Sequence, residues 1–262
     1  MICLTVDCEQ WTSPKARGMD VPENNNTDFS RLGNNRLLKL FDEYGVKSTF
    51  FITGFFAERE KEHVVALKKN GHEIGCHGYG HSYRDNKTLD KEKDIIKAKR
   101  ILESATGRKI LGFRAPQMQY SSELTKILKQ QGFKYDSSLN PAYFPFWINN
   151  TKYSLRPFKD NGIIEIPAST VYGSRLPLSW VFIRVLPYSY MKYGIRRLLK
   201  EGITPVLYVH SWEFIELKSK FVPWYFKKNT GKKFINKIKR LICDFKSEEF
   251  ATMETLLKHN FH

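Results

Sequence analysis

Four cysteines, Cys3, Cys8, Cys76 and Cys243, are all that the 262 residues contain, and no two of them form a CxxC pair. That excludes a dense secreted disulfide framework and offers no signal of a structural zinc site, so a reducing compartment is expected. No stretch reaches the roughly 18 consecutive apolar residues that a membrane-spanning helix needs. The opening "MICLTVDCEQW" meets a charge at Asp7, too early for the apolar core of a secretory leader, and the expectation is a cytoplasmic chain. A GxGxxG turn after the first apolar run is missing, which removes the signature of a dinucleotide-binding sheet. Internal repeats and low-complexity linkers are absent too. Acid is scarce: 27 Asp and Glu stand against 43 Lys and Arg, a formal charge of +16 that favours an anionic partner such as a phosphate, a nucleic acid or a membrane face.

What is present is alternation. Short apolar or β-branched runs, "MICLTV", "KSTFFIT", "HEIGC", "KILGF", "FKY", "GIIEIP" and "TPVLYV", predict strands. Between them lie helical patterns, "RLGNNRLLKLFDEYG", "AEREKEHVVALKKNG", "TLDKEKDIIKAKRILESATG", "SSELTKILKQQG" and "YMKYGIRRLLKEG", all five closed by glycine after a periodic stretch. Strand and helix in turn mean a parallel sheet with helices outside it. With about seven strands and 262 residues, the expected fold is α/β, a distorted (β/α) barrel spanning residues 1–262 as a single domain.

Polar residues follow these strands in a pattern. Asp7 and Glu9 come after the first, His77 and His81 after the third, Arg114 after the fourth, Asp136 after the fifth and His210 after the last. In a β/α barrel those ends share the face where active sites are built. Within "EIGCHGYGHSY", His77 and His81 stand four apart with Gly78 and Gly80 between them, so one turn of backbone brings two imidazoles to one ion. The competing reading is a polar loop.

Six motifs in order resemble the polysaccharide deacetylase superfamily, the NodB-homology group, and especially its branch associated with exopolysaccharide biosynthesis. "LTVDCEQW" is similar to that branch's Asp-Val-Glu-Asp opening, "STFFITGFFAER" to its second strand, and "HEIGCHGYGHSY" to the paired-histidine motif. "GFRAPQMQYS" resembles the Arg-x-Pro motif, "YDSSLNP" the Asp-Ser-Ser motif and "PVLYVHSWEF" the His-Pro-Trp-Glu motif. "VFIRVLPYSYMKYGIRRLL" resembles a further segment of that branch. Each motif is weak alone, whereas six in order over nearly the whole chain are specific.

The resemblance implies a hydrolase that removes an N-acyl group, ordinarily acetyl, from an amino sugar in a polysaccharide or lipid-linked glycan. It implies a divalent metal, zinc first, with cobalt, nickel or iron also suited to such ligands. His77 and His81 become the imidazole ligands. The usual adjacent aspartates are replaced here by Asp7, Cys8 and Glu9, which implies Asp7 as catalytic base and Glu9 as ligand, with the exchange of those two roles left open. A Cys8 thiolate is a minor third option, since Cys8 alternates to the other side of the strand from Asp7 and Glu9. His210 is implied as the general acid. Arg114 is implied to orient Asp7 and to pair with Asp136, while Glu213 tethers the last motif. Two departures stand out: Met118 occupies the place of the family's tyrosine, with Tyr120 two residues on, and Ser211 stands where the branch has proline. The oxyanion donor at the former position is a backbone N–H, which a change of side chain leaves in place.

Other polar and aromatic residues carry less. His63, His72, His259 and His262 fit no motif and are expected to be solvated or structural. Trp147, Trp180 and Trp224 are expected in the core ahead of a substrate platform. "NPAYFPFWINN" and "PLSWVFIRVLPYSY" mix aromatics with proline, and "KFVPWYFKKNTGKKFINKIKRL" is basic, so peripheral contact with the inner face of an anionic membrane competes with an ordinary solvated basic face. No nucleic-acid motif is present and no nucleic-acid partner is expected. The alternative enzyme is a metal-independent amidohydrolase acting on a cyclic amide or ureide, against which the two retained histidines argue.

Overall fold

The seven expected strands form one curled sheet in a computed structural model that describes residues 1–84 and 86–261. In chain order the elements are β1 (Cys3–Cys8), α1 (Asp28–Tyr44), β2 (Thr49–Ile52), α2 (Gly54–Arg59), α3 (Lys61–Lys69), β3 (Glu73–Cys76), α4 (Lys91–Thr106), β4 (Gly112–Phe113), α5 (Ser122–Gln130) and β5 (Tyr135–Asp136). A hairpin of β6 (Tyr143–Phe144) and β7 (Ile148–Asn149) follows, then β8 (Phe158–Asp160), β9 (Ile163–Glu165), α6 (Trp180–Val185), α7 (Tyr188–Lys200), β10 (Val206–His210), α8 (Trp224–Lys227), α9 (Lys232–Asp244) and α10 (Met253–Phe261). The sheet order is β10-β1-β2-β3-β4-β5-β9-β8, parallel throughout except for β8, which returns antiparallel on β9.

The barrel is open, and irregular chain fills its gap. Past β9, Ser169 gives its N–H to Val206 and its hydroxyl accepts from the Val206 N–H at 2.8 Å, while Ser179 bridges Tyr208 on β10. Below, Met253 and Leu256 of α10 pack against Cys3, Phe51, Tyr135, Ile164 and Val206, so the lower end is a plugged apolar core rather than a pore.

Helix boundaries follow local chemistry. Gly45 and Gly107 end α1 and α4 in the left-handed conformation, at φ 65° and 64°, which costs a glycine nothing. Asp90 and Ser121 cap α4 and α5 by accepting the N–H of Lys93 and of Leu124. The single helix expected over 57–71 is two helices, broken where Glu60 leaves helical geometry and accepts the Thr27 hydroxyl at 2.8 Å. On α1, Gly33 lies against the 3₁₀ turn Ser211–Phe214; a Cβ at that position would sit 1.8 Å from the Ser211 carbonyl oxygen. Among the described residues, no helix is long and apolar enough to cross a membrane.

Candidate active site

Strand register brings the first acid and the last histidine together. Asp7 on β1 lies directly beside His210 on β10, and alternation turns Cys8 away into the core, where its sulfur accepts from Asn34 Nδ2 at 3.1 Å. Glu9, just past the strand, is buried; its Oε1 accepts from Trp212 Nε1 at 3.2 Å and its Oε2 lies 2.5 Å from His81 Nε2. Burial opposes the charge on Glu9, but the charge and hydrogen bond of His81, aided by His210 and His77, outweigh it and hold the carboxyl at about 2.

His77 leaves β3 with its ring fully committed on one side. Its Nδ1 donates to the Arg114 carbonyl at 2.7 Å, which fixes the tautomer with Nε2 as the lone-pair nitrogen. Burial pushes this imidazole down to about 4 despite the nearby Asp7 charge, so it is a neutral ring at neutral pH. One ligating atom each from Glu9, His77 and His81 lie within 4.8 Å of one another. Of the two glycines in the loop, only Gly78 uses left-handed freedom, at φ 67°. A residue the sequence reading missed organises this turn. Asp94 of α4 accepts from the N–H groups of Tyr79 (2.7 Å) and Gly80 (3.2 Å) and from the Tyr83 hydroxyl (2.9 Å). Its signal was a carboxylate on the buried stripe of Ile95, Ala98 and Leu102.

Arg114 clamps Asp7. Its Nη1 donates to Asp7 Oδ1 at 2.8 Å and to Thr5 Oγ1 at 2.7 Å, while Nε and Nη2 reach the carbonyl and hydroxyl of Ser137 at 3.1 and 3.0 Å. The expected ion pair with Asp136 is therefore not formed. Asp136 lies in register with Glu165 on the neighbouring strand β9, and both are fully buried. No N–H or O–H donor among the described residues reaches Asp136 Oδ2 or Glu165 Oε2. Side by side on neighbouring strands, the two buried carboxyls oppose each other's ionisation. Burial pushes Asp136 up to about 6 and Glu165 well above the carboxylate range.

His210 is held in an aromatic box. It stacks on Trp212 with centroids 5.2 Å apart and meets Trp180 edge-on at 5.2 Å. Its backbone N–H donates to Glu213 Oε2 at 2.8 Å, and Nδ1 lies 3.5 Å from the same oxygen. Burial would lower the imidazole, but the Glu213 hydrogen bond and the charges of Glu9, Glu213 and Asp7 raise it above its ordinary value. Glu213 in turn accepts from Arg184 Nε at 2.5 Å, with both side chains fully buried. Arg184 also donates to the carbonyls of Lys228 and Tyr225. It went unread inside the apolar "VFIRVL", where its charge was the signal. Ser211, at the branch's proline position, is buried with its hydroxyl 3.4 Å from the Asp7 carbonyl.

Asp7, Glu9, His77, His81 and His210 line one cavity of about 740 Å³, the size of a site for a drug-sized ligand. Gln117 and Met118 enter it with positive φ, 57° and 52°. The Met118 N–H, expected as an oxyanion donor, is taken by the Ala115 carbonyl at 3.0 Å. Tyr120 donates to Asp160 at 2.8 Å. The tryptophans divide: Trp180 and Trp147 line the cavity, but Trp147 (82% exposed) and Trp224 (64%) are exposed side chains, contrary to the expectation of a core role. His72 is structural, accepting the Ser48 N–H at 3.3 Å, His63 is half-buried and His259 exposed; His262 lies outside the described residues.

Comparison with known proteins bears on the family and the fold. The family model described as Polysaccharide deacetylase matches residues 28–135, and a domain of unknown function, DUF3473, matches 137–258. A peptidoglycan deacetylase of Helicobacter pylori is 30% identical over 196 residues, 66% of this chain and 65% of that one. A peptidoglycan-N-acetylglucosamine deacetylase of Bacillus cereus is 33% identical over 100 residues, 38% of this chain and 46% of that one. The chain thus spans less than two thirds of the length of either relative. Among solved structures, a Mycobacterium smegmatis protein assigned to the polysaccharide deacetylases has a TM-score of 0.69 at 22% identity, covering 98% of this chain and 88% of that one. An allantoinase scores 0.67 at 19% identity, covering 98% and 89%, so the fold by itself does not separate the two chemistries. Residues 28–135 thus match the polysaccharide deacetylase family, and the chain as a whole shares the α/β half-barrel of the solved structures.

Proposed function

We propose that this protein is a metal-dependent hydrolase that removes an N-acyl group, acetyl in the first instance, from an amino sugar in a polysaccharide or lipid-linked glycan. One observation carries the reading: a carboxylate and two imidazoles converge within 4.8 Å, beside an aspartate clamped by arginine and a histidine backed by glutamate. The names of the relatives, which specify peptidoglycan and N-acetylglucosamine, support the substrate class.

The donor set fits a divalent cation. His77 Nε2 is buried with no hydrogen-bond partner among the described residues, an arrangement that a ligating nitrogen explains. Glu9, His77 and His81 would hold the ion, and two imidazoles with one carboxylate suit zinc as well as cobalt, nickel or iron. When bound there, it would polarise the acyl carbonyl and acidify a water. Asp7, oriented by the Arg114 guanidinium, takes the proton of the attacking water. His210, one strand away, gives its proton to the departing amine. The acids of β1 precede both matched stretches and His210 lies in the second, so we read residues 1–262 as one functional unit. The alternative, a metal-independent amidohydrolase, has no observation in its favour while both imidazoles are in place.

His77→Ala or His81→Ala is expected to lose bound metal and acetate release together; normal metal content in His81→Ala refutes the assigned site. Asp7→Asn is expected to keep the metal and slow turnover by roughly 10²- to 10⁴-fold. Glu9→Gln is expected to weaken metal retention, with partial rescue by added metal. The reverse pattern makes Asp7 the ligand. Exposed Trp224 near Lys218, Lys220, Lys227 and Lys228 supports peripheral contact with an anionic membrane. Such binding should weaken as the Debye length falls from about 10 Å at 0.1 M salt to about 3 Å at 1 M, and failure to float with anionic vesicles at low salt rejects it.

A further inference from the structure

The β6–β7 hairpin at the cavity mouth presents two large aromatic rings to solvent. Phe146 is 105% exposed and Trp147 is 82% exposed, and Trp147 belongs to the lining of the cavity that holds Asp7, His77 and His210. The Trp147 N–H donates to the Phe144 carbonyl at 3.1 Å, closing a tight turn with Pro145 second and Phe146 third. Phe146 has φ 65°, the left-handed conformation that the third position of a type II turn assigns to glycine or asparagine. A bulky aromatic there is strained, and strain of this kind collects at ligand-contacting sites. The strain is held in place from below. Phe144 packs edge-on against Phe182 of α6 at 5.6 Å, and the Asn150 side chain donates to the Asn140 carbonyl at 2.9 Å.

Charge says what the tip meets. Residues 140–151, "NPAYFPFWINNT", contain no Asp, Glu, Lys, Arg or His in a chain of +16, so the hairpin itself offers no charge to a ligand, although Arg17 and Arg84 line the cavity elsewhere. Beside the rings the cavity wall is amide: Asn140, Asn149 and Asn150 all line it, and the side-chain carbonyl of Asn140 has no donor among the described residues. A neutral ligand with flat C–H faces and hydroxyl edges matches that mixture, and a pyranose ring is such a ligand. Aromatic side chains supply rigid contact area at low entropic cost, and a turn that fixes them beforehand lowers it further.

We infer that Phe146 and Trp147 form a stacking platform for a second sugar of the same glycan, displaced along the chain from the unit that is deacetylated. This rests on the proposed deacetylase reading and deepens it: the preferred substrate is a polymer of N-acetylated hexosamine, and its length is sensed at the hairpin.

The test measures acetate release by the metal-loaded protein from β-1,4-linked N-acetylglucosamine oligomers of two and of six units. The unsubstituted protein is expected to favour the hexamer in kcat/KM. Trp147→Ala is expected to lower the hexamer-to-dimer ratio by about 10-fold, with the loss in KM for the hexamer rather than in kcat, and Trp147→Phe is expected to restore most of it. Because Trp147 makes little contact with the fold, its removal leaves the core intact. An unchanged ratio in Trp147→Ala overturns the inference while leaving deacetylation standing. So does an unchanged ratio together with weaker flotation on anionic vesicles, which assigns the rings to a membrane. Acetate release from neither oligomer by the unsubstituted protein overturns both the inference and the reading beneath it.

Discussion

Replacing Arg184 by methionine should cost about 3–5 kcal/mol of folding stability at neutral pH, because it strands a carboxylate that has no solvent. Arg184 and Glu213 are both fully buried and their side chains meet at 2.5 Å. The guanidinium also satisfies two backbone carbonyls, those of Lys228 and Tyr225, so methionine of similar length fills the space but answers none of the three acceptors. Against a total stability of about 5–15 kcal/mol the loss is a large fraction. The sign with pH follows from Glu213. Burial raises its carboxyl, but the Arg184 charge and the His210 hydrogen bond outweigh that and leave it below the ordinary carboxylate value. The stabilisation from the pair is therefore present above the unfolded value of about 4.5 and disappears as pH falls through the folded one, so the cost of Arg184→Met should shrink in acid. Urea denaturation at pH 7 and pH 4 measures both, and the double variant Arg184→Met/Glu213→Gln should recover at least about 1 kcal/mol of the single loss. A cost under about 1 kcal/mol for Arg184→Met at pH 7 would refute the reasoning, since it would mean that Glu213 finds water or another cation.

Glu213→Gln should move the alkaline limb of the pH–rate profile to lower pH, because it removes a hydrogen bond and a charge that raise His210; an unmoved limb assigns the acid elsewhere. Asp136→Asn should flatten the stability profile between about pH 4 and pH 6: burial lifts the folded carboxyl to about 6, so its contribution is full below the unfolded value and is lost as pH rises through the folded one. Urea midpoints across that window, compared with the unsubstituted protein, decide it. In the native protein one thiol should react quickly with Ellman's reagent and three slowly, since Cys243 is exposed while burial raises the thiols of Cys3, Cys8 and Cys76 far above their ordinary value; Cys243→Ser should remove the fast phase.

Much of the site was legible because strand ends are a one-dimensional signal. Asp7, Glu9, His77, His81, Arg114, Asp136 and His210 each follow an apolar run, and parallel topology carries such positions to one rim. Pairings across the sheet were not legible. Whether Asp136 faces Arg114 or Glu165 depends on the register of β5 with β9, and "IIEIP" gives no hint beyond a charge inside a buried run. Arg184 and Asp94 were hidden for the same reason, each looking like an interruption of an apolar pattern rather than half of a contact. The helix α9 was concealed by its lysines: Phe234, Ile238, Leu241 and Ile242 form a buried stripe in a segment whose composition reads only as basic. Trp147 and Trp224 were misplaced because size argues for burial, whereas their positions on a hairpin tip and a short surface helix decide otherwise.

The missing side chain at Gly33 has a consequence for how variants of this protein will be interpreted. Helix α1 lies flush on the turn that begins one residue after His210, and the contact is backbone to backbone, so neither side can yield to an added methyl group. Alanine there would lift Ser211 and carry the imidazole with it, although residue 33 contributes no atom to the cleft. In an assay such a variant would be indistinguishable from the loss of a catalytic group. Position 33 is thus an address of the active site on the outside of the barrel, and a mutational scan confined to the cleft would never visit it.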